Sequence, residues 1–104
     1  MICWPCVLKL EGEDELTYLA SALDFISECQ DLILSDEDYV IDSMGVCYLI
    51  ECVSQQRVLV KTERTVIIAE VLDLIRAHEF SKAELCLTKI YFLTVADAIN
   101  SLRY

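Results

Sequence analysis

Two cysteines spaced C-x-x-C are the residues of this chain best suited to covalent chemistry, and Cys3-Trp4-Pro5-Cys6 supplies such a pair. A dithiol around an internal proline can cycle between thiol and disulfide, or give half of a tetrahedral zinc site. Thiol–disulfide exchange needs the first cysteine at a helix N-terminus, where the dipole stabilises the thiolate. Here the motif begins at residue 3 and runs into a strand-like Val7–Leu10, so Cys3 and Cys6 fall on opposite faces, about 10 Å apart along the chain. Burial or a loose terminus is the plainer reading, with Cys3 and Cys6 as the candidate redox or metal residues. Cys29, Cys47, Cys52 and Cys86 form no second pair of that spacing. Cys47 and Cys52 should face opposite ways on one strand, and Cys52 and Cys86 are expected in the core as small hydrophobes.

His78 is the one histidine, placed in the last turn of an expected helix, where the dipole mildly favours its cationic form. No local pattern sets it beside a nucleophile. The carboxylates of 11–15 and 36–38 do not follow the ligand ladder of an EF-hand and read as solvated turns. No phosphate-binding loop, dinucleotide-binding glycine pattern or G-x-S-x-G is present. The sequence therefore names no catalytic residue, no cofactor and no metal, and an enzyme is not the favoured reading.

The elements that would position these residues come from one domain's worth of chain. With 104 residues, 56% of them hydrophobic, the chain can build a core without staples, and 1–104 reads as a single domain. A mean hydropathy of +0.45 is high for a domain this small, which suggests apolar surface facing a partner. Charges interrupt every apolar run well before about 18 residues, so no membrane span is expected. The N-terminus lacks a basic region and a cleavage site, and six cysteines without an export signal are read as reduced thiols. The expected compartment is the cytoplasm.

Net charge is −10, unevenly spread. Residues 1–52 carry twelve Asp/Glu against Lys9 alone, while 53–104 carry seven Lys/Arg and six Asp/Glu. Such a surface repels nucleic-acid phosphates and anionic lipid, so no direct nucleic acid and no membrane partner is expected.

The stretch Tyr39–Val60 reads as three antiparallel strands. Its apolar centre, Val46–Val53, is flanked by the turn-like Asp42-Ser43-Met44-Gly45 and Ser54-Gln55-Gln56. Gly45 can take the positive φ of a short hairpin, and Asp42 and Ser43 can bond their own backbone to start it. Ile2–Leu10 alternates as a strand with Trp4, Cys6, Leu8 and Leu10 on one face, and Glu15–Ala20 can return as a second. A polar stripe also fits one helix over 15–30, but the hairpin is preferred, with Ser21 and Asp24 as the capping box of a shorter helix. The combination Trp4-Pro5, Leu8-Lys9-Leu10, Asp14-Glu15-Leu16 and Ile41-Asp42-Ser43 resembles a small bacterial domain family of unknown function, over the N-terminal half. That resemblance implies a compact cytoplasmic domain and carries no activity or site.

The spacing predicts a helix over 65–80 with Thr65 as N-cap, a strand over 84–90, and a final helix opened by the capping box Thr94-Val95-Ala96-Asp97. The resulting order, ββαβββαβα, describes an α+β domain: a mainly antiparallel sheet with helices packed on one face. Leu8, Ile41, Val46, Tyr48, Ile50, Cys52, Val58 and Val60 would face the helices, leaving Val7, Lys9, Val40, Asp42, Cys47, Leu49, Glu51, Leu59 and Lys61 on the other side. From that second row Val40, Cys47, Leu49, Glu51, Leu59 and Lys61 make the candidate interaction face of a small protein-binding or self-associating module. Two rival readings are a thiol–disulfide or zinc protein using Cys3 and Cys6, and an acidic mimic of nucleic acid that occupies a basic protein.

Overall fold

The computed structural model describes residues 2–30, 37–53, 56–81 and 94–102. Its elements are β1 (Cys6–Lys9), β2 (Leu16–Leu19), α1 (Ala22–Cys29), β3 (Tyr39–Ile41), β4 (Val46–Val53), β5 (Gln56–Thr65), α2 (Ile68–Ser81) and α3 (Val95–Asn100). The strands join in the order β2-β1-β3-β4-β5, with every neighbouring pair antiparallel. This is the α+β class expected from the sequence, and the elements match the predicted order one by one up to α2 and again at the last helix. The strand predicted over 84–90 lies outside the described residues.

The centre of the sheet is apolar on both sides because its strands carry unbroken apolar runs, Cys6-Val7-Leu8 in β1 and Val40-Ile41 in β3, and such strands must be covered on both faces. Helices α2 and α3 cover one face, packing Val71, Ile75, Ala98 and Ile99 against Val7, Leu16, Ile41 and Cys47. Helix α1 covers the other with Phe25 and Cys29 over Cys6, Leu8, Leu19, Val40 and Tyr48. The expectation of helices on one face thus holds for α2 and α3 and fails for α1. Phe25, the one large side chain that α1 buries, contributes about 1.5–3 kcal/mol.

Register corrects the expected facing as well. Val7 stands opposite Ile41, and Leu49 opposite Val60, so Ile41, Val58 and Val60 belong with Val7 and Cys47 and not with Leu8 and Tyr48. A slip of one residue moves a whole strand's side chains across the sheet, and both rows are apolar enough to hide it.

The turn between β3 and β4 follows the sequence reading. Gly45 has φ +84°, its N–H bonds the Asp42 carbonyl at 2.9 Å, and its own carbonyl accepts from Val66 N–H at 2.8 Å. Thr65 is the last residue of β5, paired with Val46, and not a helix cap. The β-branched run Thr65-Val66-Ile67 favours extended backbone, which delays α2 to Ile68. At α3 the predicted cap is in place, with Thr94 Oγ1 accepting from Asp97 N–H at 3.1 Å. Ser21 is the N-cap residue of α1 without a side-chain cap bond, while Asp24 Oδ2 accepts from Ala20 N–H at 2.9 Å.

Candidate functional site

The dithiol is held in a geometry that suppresses its reactivity. Cys3 is exposed and precedes β1, and Cys6 lies within β1, fully buried, with its Sγ 3.5 Å from the Cys3 carbonyl. Burial first, then the charges of Asp42 and Cys3, pushes the Cys6 thiol up to about 12, away from the reactive thiolate. Cys29 and Cys47 are buried and raised in the same direction, chiefly by desolvation. Cys52, expected in the core, is exposed near the end of β4, beyond the reach of the helices. Among the described residues no group of three or more His, Cys, Asp or Glu side chains is placed to hold a metal ion. Cys86 lies outside the described residues.

Asp42 does structural work beside the two cysteines. It is 1% exposed, and its carboxylate accepts from the N–H groups of Cys3 (3.1 Å), Met44 (2.9 Å) and Val46 (3.0 Å), with the Tyr48 hydroxyl 3.5 Å away. Ser43 adds two clasps to the same segment: its N–H donates to the Cys3 carbonyl at 3.0 Å and its hydroxyl to the Pro5 carbonyl at 2.6 Å. The Trp4–Pro5 peptide within that segment is cis. Asp38 plays a similar part at the other end of β3. It is buried, not solvated, and accepts from Glu11 N–H at 2.7 Å.

His78 is buried at 6% exposure, and its Nδ1 accepts from Leu16 N–H at 2.7 Å. An accepting ring nitrogen carries no proton, so this histidine serves as a fastener between α2 and the edge strand β2 and not as a surface cation. Its partner is 62 positions away, which no local pattern could reveal.

Besides Leu23 and Ile26 on α1, Met44 and Ile67, the exposed large apolar side chains lie on the outer part of β4 and β5. Strand β3 pairs with β4 only as far as Leu49, whereas β4 and β5 continue together to Val53 and Gln56. The last turns of this hairpin form an arm beyond the helices. On the α2/α3 side of the arm stand Leu49 (41% exposed), Val53 (54%), Val58 (36%) and Val60 (38%). Glu51 lies opposite Val58 in this row. On the reverse side, Ile50 and Leu59 pack against the α1-side core, with Cys52 and Arg57 paired beyond them. At the base of the apolar row a shallow groove is lined by Glu37, Tyr39, Cys47, Leu49, Thr62 and Arg64, with the Arg64 guanidinium 5.1 Å from the Tyr39 ring centroid.

The six residues predicted as an interaction face are thus divided. Leu49 and Glu51 are exposed in the open row and Cys47 is buried at its root. Leu59 and Lys61 lie on the reverse side, and Val40 is buried under α1. Val58 and Val60 take the places in the row that Leu59 and Lys61 were expected to fill. The alternation of Val58 and Val60 was the signal, and the one-residue register error concealed it.

A family model described as a protein structure with unknown function matches residues 4–102. The chain belongs to this family, DUF4144. The DUF4144 chain is also similar to a protein from Shewanella amazonensis solved by NMR, at 28% identity and a TM-score of 0.73, covering 99% of this chain and 89% of that one. A search of curated proteins gave no match. The resemblance read from the N-terminal half therefore extends over almost the whole DUF4144 chain. No described helix is long and apolar enough to cross a membrane.

Proposed function

We propose that this DUF4144 chain is a protein-interaction domain whose binding surface is the open row of the β4–β5 arm. The carrying observation is the one-sided arm itself: Leu49, Val53, Val58 and Val60 line one face of two strands that project past the helices. Apolar residues grouped in a row, in contrast to ones scattered singly, mark interaction surfaces. Glu51 within the row and Arg64 at its base supply the polar rim that fixes orientation in such contacts. The occupant is another folded protein chain, because the row is open and shallow where a small molecule needs enclosure.

Immobilised wild-type chain should retain a protein that the Leu49→Lys/Val60→Lys chain does not. Both sites are exposed, so the variant should keep the wild-type circular dichroism spectrum. Equal retention by the two chains would remove this row from the binding surface.

A further inference from the structure

We propose that the arm also carries a second copy of this chain, joined edge to edge through β5 in antiparallel register about a two-fold axis at Val60. The inference rests on the reading of the arm as an interaction element and adds a contact along its edge, with its partner and register, that leaves the open row exposed. Among the described residues the sheet has two edges, and they differ. Strand β2 is four residues long, and its Leu16 N–H is taken by His78. Strand β5 is ten residues long and, among the described residues, pairs with β4 alone, so every second residue presents an outward N–H and C=O.

A two-fold axis normal to the sheet keeps each face of both copies on the same side, so only residues of one face can stand opposite each other. Within β5 the odd positions from Arg57 to Thr65 share the α1 side, and the even ones share the open row. The two extra residues that β5 carries opposite Cys47 preserve this alternation, since Lys61 and Thr65 pair with Tyr48 and Val46 on one face.

Two registers use nine of the ten residues, one centred on Val60 and one on Lys61. Centring on Lys61 would set that ammonium against its own copy, and like charges directly opposite are destabilising. Centring on Val60 sets Arg57 opposite Glu63 of the second copy, twice by symmetry, with Val58 opposite Thr62 and Val60 against its counterpart. Within one copy Arg57 and Glu63 make no ion pair among the described residues. Thr62 Oγ1 donates to the Cys47 carbonyl at 2.8 Å and holds the bulge, so the regular ladder runs from Leu59 to Lys61 with the ion pairs flanking it.

Charge at larger scale favours the same edge. In a chain of net charge −10, β5 carries Arg57, Lys61 and Arg64 against Glu63, so two copies meet there with least repulsion between their acidic halves. The open rows then lie side by side on one face of a continuous sheet.

The test is multi-angle light scattering of the full chain across a concentration series. Wild type should dimerise, Glu63→Arg should weaken the dimer at least about tenfold, and Arg57→Glu/Glu63→Arg should restore it. In a background of Cys3→Ser and Cys52→Ser, oxidised Val60→Cys should give a disulfide-linked dimer and Val58→Cys should not. A dimer indifferent to Glu63→Arg, or one cross-linked equally at Val58, would overturn the proposal. So would a wild-type chain that stays monomeric throughout. If that monomer still retained a protein lost by Leu49→Lys/Val60→Lys, self-pairing alone would fall and the arm would stand as a binding surface for a different chain.

Discussion

At Asp42, one carboxylate ties together three parts of the chain: the segment at Cys3, the turn at Met44 and the first residue of β4. Truncation would leave three backbone N–H groups without their acceptor, one of them responsible for docking the N-terminus. Asp42→Ala should cost on the order of 3–5 kcal/mol, measured as a shift of the urea midpoint at constant m-value. The local half of this role was legible, because aspartate before a glycine-containing turn bonds its own backbone. The bond to Cys3 spans 39 positions and left no trace in the spacing. Cys6 gives a second prediction with a definite sign. Its thiol ionises near 9.0 when free and near about 12 when folded, so the unfolded chain loses its proton first. The stabilisation from this thiol is complete below about pH 9 and declines as pH rises toward about 12. The urea midpoint should accordingly fall as pH rises from about 9 toward about 12, and peptide mapping after brief alkylation should find Cys3 and Cys52 modified before Cys6, Cys29 and Cys47.

Among the elements, the turns and strands were read more securely than their faces. The β3–β4 turn shows why a glycine is required. A Cβ at Gly45 would stand 2.6 Å from the Val66 carbonyl oxygen, in addition to the positive φ, whereas a Cβ at Gly12, φ +77°, meets nothing within 4 Å. Gly12→Ala should cost about 1–2 kcal/mol from backbone conformation alone. Gly45→Ala should cost clearly more, because the β4–β5–α2 junction must move, and thermal melts of the two variants side by side will separate the two contributions. The start of α2 was misplaced since Thr65 is a good cap by type, yet pairing with Val46 keeps it in the sheet. Position of α1 was misjudged for a different reason. Alternation gives two rows in each strand but does not say which helix covers which row, and the runs Cys6-Val7-Leu8 and Val40-Ile41 were the local sign that both rows needed cover.

Across the whole molecule, two cores lie back to back on one sheet, and the helices reach only as far as β3 demands. The arm follows from that arithmetic of lengths: β4 has eight residues and β5 ten, while β3 has three, so the outer strands outrun their cover. Strand lengths were roughly legible, but the boundary of helix cover was not, because it depends on where α1 and α2 dock. Excess hydropathy did signal apolar side chains left exposed, and the register then decided which of them share one face of the arm. The uneven charge acquires a place in the same picture, with basic residues along β5, the outer strand among the described residues, in an otherwise acidic chain.

Trp4 is the one tryptophan of the chain, and it packs half-buried against the α1-side core, next to Cys3 in the segment clasped by Asp42 and Ser43. Indole emission shifts with the polarity around the ring. The protein thus carries its own optical probe at the point where its N-terminus is fastened, and undocking of that segment should appear as a red shift in unlabelled material, whether or not the sheet beneath it has opened.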